Sequence, residues 1–184
     1  KESPFNYVRR IQMSRKSRVI EFTLDRVDFP NRGKATFEDR IIRIKGGLPG
    51  QKVKAKVAKR RKDYWEAKLI EVLERSPLET EEGCPHKDVC GGCTYQSLTY
   101  ENERNHKLNQ VQDLFDREDL GVKVEGIEES PDLRAYRNKM EYTFGDEEKD
   151  GPLALGLHMK GRFYEVVKTD HCNIVNNDFT IIRE

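Results

Sequence analysis

No run of about 18 apolar residues occurs anywhere in the sequence, so no segment reads as a membrane-spanning helix. No apolar stretch follows the basic N-terminal residues, so no secretory signal is read either. Both absences point to a reducing cytoplasmic setting without a membrane partner, where clustered cysteines bind metal sooner than they form disulfides. Apolar residues are scarce, 35% of the chain against 36% charged, so any core must be small. A glycine-rich strand–turn–helix fingerprint for a nucleotide cofactor is missing. Internal repeats and low-complexity segments are missing too. Cysteine is limited to four residues, Cys84, Cys90, Cys93 and Cys172.

What is present divides in two. A chain of 184 residues holds one sizeable domain or two small ones. Its formal net charge of +1 conceals an asymmetry: residues 1–78 carry 21 Lys and Arg against 10 Asp and Glu, and residues 79–184 carry 13 against 23. The division suggests two units, the first with a polyanionic partner. Residues 1–16 read as a flexible basic arm. Residues 17–76 read as five short strands: Arg18–Leu24, Gly33–Glu38, Arg40–Lys45, Gln51–Lys59 and Tyr64–Leu73. Gly and Pro turns separate them, including Gly46-Gly47, and five such strands suggest a small barrel that leaves no open edge.

The fourth of these strands alternates lysine with apolar residues. Val53, Ala55 and Val57 face one way; Lys52, Lys54, Lys56 and Lys59 face solvent. Arg60, Arg61 and Lys62 extend the positive ridge into the next turn, with Tyr64 and Trp65 beside it. Such a surface binds phosphate backbones and offers rings for base stacking. The plainer reading of the lysines is protection of an edge strand.

After Pro77 the composition becomes acidic and the pattern α+β. A helix is expected over about Ser97–Asp116, with Leu108, Val111, Leu114 and Phe115 as its buried stripe. Strands are expected over Val122–Ile127, Tyr136–Phe144, Leu153–His158 and Phe163–Val167. Arg137 and Lys139, two apart on a strand, face the same side and are candidate RNA contacts; an ordinary salt-bridged strand face is the alternative.

Three cysteines fall within ten residues, Cys84 to Cys93, and Cys172 stands alone. Four thiolates can complete a metal or iron–sulfur site. One short knuckle, Cys90–Cys93, is fewer than structural zinc usually takes, so the three-plus-one spacing favours iron–sulfur and leaves Zn2+ as the alternative. Gly91-Gly92 lets backbone N–H groups approach the sulfurs. His86 could serve as a ligand, but four cysteines already suffice.

These residues resemble a known family. Cys84-Pro85-His86, Cys90-Gly91-Gly92-Cys93-Thr94-Tyr95-Gln96, Tyr100-Glu101 and Lys107 resemble the cluster motif of the RNA (uracil-5-)-methyltransferases that act on ribosomal RNA. Gly47-Leu48-Pro49-Gly50-Gln51-Lys52-Val53 resembles the signature turn of the TRAM domain preceding that motif. Tyr136-Arg137-Asn138-Lys139 resembles a stretch of the family's central domain, and His171-Cys172 falls where its fourth ligand lies. The resemblance implies an OB-like TRAM barrel that binds RNA, 23S ribosomal RNA by likeness. It also implies a central α+β domain, residues 77–184, holding a [4Fe–4S] cluster on Cys84, Cys90, Cys93 and Cys172. The parent enzyme would methylate uracil C5 with S-adenosylmethionine, through a cysteine that attacks C6 and a base that removes the C5 proton. No spare cysteine remains here for that nucleophile. The chain starts at Lys1 and ends within a helix start, so it reads as a catalytically inert fragment, with the cofactor bound C-terminal to it. A zinc-stabilised, stand-alone RNA-binding or ribosome-associated module is the second reading, and an electron-transfer protein the third.

Overall fold

The structure is a computed structural model that describes residues 18–183. The arm expected over residues 1–16 lies outside them. Six strands form the first sheet: β1 (Val19–Thr23), β2 (Arg26–Asp28), β3 (Arg32–Phe37), β4 (Arg40–Lys45), β5 (Lys52–Arg60) and β6 (Tyr64–Glu74). Their order is β1-β5-β6-β4-β3-β2. Neighbours are antiparallel except β4 and β6, which run parallel. Strict alternation sends Ile20 and Phe22, Ile42 and Ile44, and Val53, Ala55 and Val57 to one side, where they close a core with Leu24, Ala35 and Ala67. Between β4 and β5 the chain reverses at Gly46 and Gly47, with φ of +89° and +91°. At Gly47 a Cβ would also lie 2.3 Å from Leu24, so glycine is required on two counts.

This architecture corrects the sequence expectation of five strands closed into an OB-like barrel. There are six strands, and the hydrogen-bonded order is open, with β1 and β2 at its edges. The reason lies at Leu24-Asp25. Leu24 N–H donates to Gln51 O at 2.9 Å, whereas Asp25 N–H donates to Lys34 O at 2.9 Å. The chain thus leaves the β5 side at Leu24 and joins β3 one residue later. The resulting three-residue β2 is too short to show a period in the sequence. Three Cα steps from Thr23 to Arg26 reach about 11 Å at most, whereas a flat sheet of this width would hold its edges roughly 24 Å apart. The sheet is therefore strongly coiled.

Helix α1 (Tyr100–Arg117) starts where Thr99 accepts a hydrogen bond from Asn102 N–H at 3.2 Å, and Glu101 and Glu103 occupy its first turn. Its buried residues are His106 and Gln110. The expected apolar stripe is not the buried one: Val111 and Leu114 are more than a third exposed. The polar face is buried because the first sheet presents polar groups that need partners. Gln110 Nε2 donates to Val27 O at 3.0 Å, and Asn102 Nδ2 donates to Leu78 O at 2.8 Å. Arg117 meets the buried Asp28 carboxylate at 2.8 Å, beside Lys34 and Arg26. Burial pushes the Asp28 pKa up, but the Lys34 hydrogen bond and the three cations outweigh it and hold the carboxyl below its ordinary value.

Beyond α1 lie β7 (Thr143–Asp146), β8 (Leu153–Met159), β9 (Arg162–Val167) and the short α2 (Asn177–Arg183). The three strands close on themselves, β7 meeting β9 in parallel at Asp146–Glu165. Two expected strands differ. Residues 122–127 form none, because the Gln112 side chain of α1 takes the place of a strand partner: its Nε2 donates to Val122 O, and its Oε1 accepts from Val124 N–H. The expected Tyr136–Phe144 strand shrinks to β7, while Ala135 and Arg137 donate backbone hydrogen bonds to Asn173 O and Ile174 O instead.

Two measurements check this packing. Ile42 is 0% exposed and its neighbour Ile41 45%, so Ile42→Ala should cost about 2–5 kcal/mol in chemical denaturation and Ile41→Ala within about 0.5 kcal/mol. A one-residue register slip would invert that order. For Asp28, Asp28→Asn should destabilise by about 1–3 kcal/mol at pH 7. The carboxyl's folded pKa is depressed, so its contribution is complete above the unfolded value of about 3.9 and lost as pH falls through the folded value. The difference between wild type and variant should therefore vanish in strong acid.

Candidate functional site: a cavity lined by four thiols

The four cysteines, half-buried and unbridged, line one cavity of about 350 Å³. Two segments far apart in sequence build it. The first runs from Cys84 to Cys93 and contains tight turns: Lys87 N–H donates to Cys84 O at 3.0 Å, and Cys90 N–H to His86 O at 2.8 Å. Lys87 stiffens its entrance, its ammonium donating to the carbonyls of Thr80, Glu81 and Glu82 at 2.6, 2.8 and 3.2 Å. The segment is sewn to the turn between β8 and β9. Gly91 N–H donates to His158 O at 2.9 Å and Lys160 N–H to Val89 O at 2.7 Å, with Cys90 bridged to Met159. The second segment follows β9 and carries Cys172. It is held by the pairing of residues 135–137 with 173–175 and by a 2.8 Å contact between His86 Nε2 and Asp170 Oδ1.

Cys90 Sγ accepts from the Gly92 N–H at 3.4 Å. Burial pushes the thiols of Cys84 and Cys93 up, and the nearby Cys172 and Cys90 sulfurs push in the same direction. A cationic centre shared by all four would relieve both effects by taking up the thiolates. Four thiolates about 2.3 Å from a single zinc ion would stand roughly 3.8 Å apart. Among the described residues no three His, Cys, Asp or Glu side chains are placed to hold one metal ion.

Arg137 and Lys139 line this same cavity, with Lys87, His86 and His171. They lie outside any strand, and Lys139 pairs with Glu141 at 2.8 Å. The lysine row of β5 is likewise less bare than its sequence reads. Lys52 meets Glu74 at 2.9 Å and Lys59 approaches Glu66 at 3.9 Å. Lys54 lies in register between Glu21 and Glu71, and Lys56 between Val19 and Lys68.

The denser cationic patch is at the Tyr64-Trp65 end of the sheet. Arg60 lies 4.9 Å and Arg18 5.9 Å from the Trp65 ring, and Arg43 3.8 Å from that of Tyr64. Arg40 donates to Lys62 O at 3.1 Å, bringing it beside the Arg61-Lys62 turn. Arg18, Arg40 and Arg43 are additions that sequence reasoning missed. Arg40 and Arg43 belong to β4 and reach this end through the β4–β6 pairing, while Arg18, just before β1, is placed by Val57 N–H donating to its carbonyl and by its pairing with Glu38 at 2.8 Å. Among the described residues no helix is long and apolar enough to cross a membrane.

No protein-family model matches the chain. Its relatives are nevertheless plain. It is 46% identical over 166 residues to an uncharacterized RNA methyltransferase of Caldanaerobacter subterraneus subsp. tengcongensis, covering 90% of this chain and 37% of that protein. It is 44% identical over 173 residues to one of Clostridium acetobutylicum, covering 94% and 38%. Over the shared segment the chain is similar to these RNA methyltransferases, and it spans little more than a third of their length. Among solved structures it shares a fold with the Pyrococcus abyssi tRNA (uracil-54, C5)-methyltransferase in complex with S-adenosyl-L-homocysteine. The TM-score is 0.53 at 21% identity, over 87% of this chain and 34% of that one.

The seam at Gly91 gives a direct test of how the site is built. A Cβ there would lie 2.9 Å from His158 O, whereas at Gly126 nothing lies within 4 Å. Gly91→Ala should lower stability by about 1–3 kcal/mol in a thermal or denaturant melt, and Gly126→Ala should stay within about 0.5 kcal/mol of wild type. Equal melts would show that the cysteine segment does not depend on its attachment to the β8–β9 turn.

Proposed function

We propose that the chain is the RNA-recognition and cluster-binding portion of an S-adenosylmethionine-dependent RNA uracil-C5 methyltransferase. The observation that carries this reading is the gathering of Cys84, Cys90, Cys93 and Cys172 around one cavity, with the Gly92 N–H on the Cys90 sulfur. In this reading those four residues hold a [4Fe–4S] cluster. The group supplies a covalent tie between segments some 80 residues apart, so that its binding free energy becomes folding free energy. Residues 17–76 act as the counterpart of a TRAM domain and residues 77–184 as a central domain. The Arg18, Arg40, Arg43 and Arg60 guanidiniums with Tyr64 and Trp65 take the RNA: cations meet phosphates, and rings meet unstacked bases. The methyl donor and the uracil nucleophile belong to the length of the relatives that this chain does not span. Ribosomal RNA is the substrate that the cysteine motif suggests, and the name of the archaeal neighbour makes transfer RNA the alternative to test beside it.

Two measurements test the two halves separately. Anaerobically purified protein should contain about four iron and four sulfide per chain; stoichiometric zinc without iron would refute the cluster. Affinity for a uridine-containing single strand should fall with salt, with a log–log slope near −0.7 per neutralised phosphate. Arg43→Glu and Arg60→Glu together should flatten that slope by about two contacts' worth. An unchanged slope would move the RNA surface elsewhere.

A further inference from the structure

His86 stands between the two halves of the thiol cavity. It lies two residues after Cys84, and its carbonyl accepts from Cys90 N–H at 2.8 Å. Its ring reaches 84 residues along the chain to Asp170, two positions before Cys172, at 2.8 Å. The histidine ring is largely buried and the carboxylate largely exposed. The remaining hydrogen bonds of the Cys172 segment, from Ala135 and Arg137 to Asn173 and Ile174, anchor it to residues 135–137 and not to the cysteine loop.

We infer that His86 and Asp170 form a positioning clamp: the ring's Nε2–H donates to the Asp170 carboxylate and closes the cysteine quartet by drawing Cys172 onto the other three. The assignment rests on the cluster reading above only for its consequence, cluster retention; the clamp itself is a property of the chain. It gives His86 a role other than ligand. With Nε2 engaged by Asp170, the residue acts through its contacts on Cys90 and on the segment that carries Cys172. A single contact to a largely exposed carboxylate contributes little to global stability. The clamp therefore acts on how the site is held, and a melt alone does not read it.

The test uses the full natural polypeptide that carries this segment. Iron release to a chelator under anaerobic conditions should be about tenfold faster in His86→Ala and in Asp170→Ala, the size usual for residues that orient ligands. The double variant should be no faster than either single one, because both remove the same contact. Asp170→Asn keeps an oxygen that can accept from Nε2 and should restore most of the retention.

The second measurement needs no cluster. In metal-free protein treated with diamide, mass spectrometry should find Cys172 disulfide-linked to the 84–93 segment in wild type and in Asp170→Asn, with that linkage lost in both alanine variants. Wild-type behaviour of the alanine variants in both assays overturns the clamp, as do single-variant effects that multiply in the double variant. Loss of all iron in His86→Ala with a silent Asp170→Ala overturns it in favour of a ligand role. An iron-free wild type whose cross-linking still requires the pair refutes the cluster reading and supports the clamp.

Discussion

The short seam between residues 89–91 and the β8–β9 turn is the constraint on which the site depends. Two backbone hydrogen bonds, Gly91 to His158 and Lys160 to Val89, dock the first cysteine segment onto the hairpin whose second strand leads to Cys172. That docking, together with the His86–Asp170 contact, relates Cys84 to a residue so far along the chain. The same seam explains why Gly91 has no side chain, since a Cβ would press on the His158 carbonyl. A second-half polypeptide with few buried apolar residues gains its shape here from directed contacts. Val166, Val167, Ile174 and Val175 supply what apolar core there is near the site.

The joint between the first sheet and α1 follows a similar logic. α1 turns Gln110 inward to donate to the Val27 carbonyl of β2, and His106 packs edge-on against Tyr95. Asp28 gathers Lys34 from β3 and Arg117 from α1 around one buried charge. Removing either side of such a cluster costs more than the pair contributes, because the survivor stays desolvated. The half-exposed Val111 and Leu114 are the counterpart of this choice.

Charge is arranged by function as well as by stability. In the first sheet guanidiniums are stacked on Tyr64 and Trp65, leaving planar cations and rings at one end of the coil. Around the thiols, Lys87, Arg137 and Lys139 place positive charge where thiolates would place negative. The relatives that this chain matches over about nine tenths of its own length are named RNA methyltransferases, and both patches are where the proposed reading uses them.

Much of this was written locally in the sequence. The lysine–apolar alternation of β5, the Gly46-Gly47 reversal, the Arg40–Lys45 strand, a helix beyond Ser97 and the cysteine spacing each depend on neighbours a few residues away. A period of two or of 3.6 residues reports which side of an element is apolar, and it does so before any partner is present. What such a period leaves open is the identity of the partner. The handover at Leu24-Asp25, the polar docking of α1, the capture of Val122 and Val124 by Gln112, and the return of Cys172 to Cys84 are all long-range pairings. They are decided by hydrogen bonds and charges that only the folded chain brings within reach, because satisfying a buried polar group outweighs a local propensity of a few tenths of a kcal/mol.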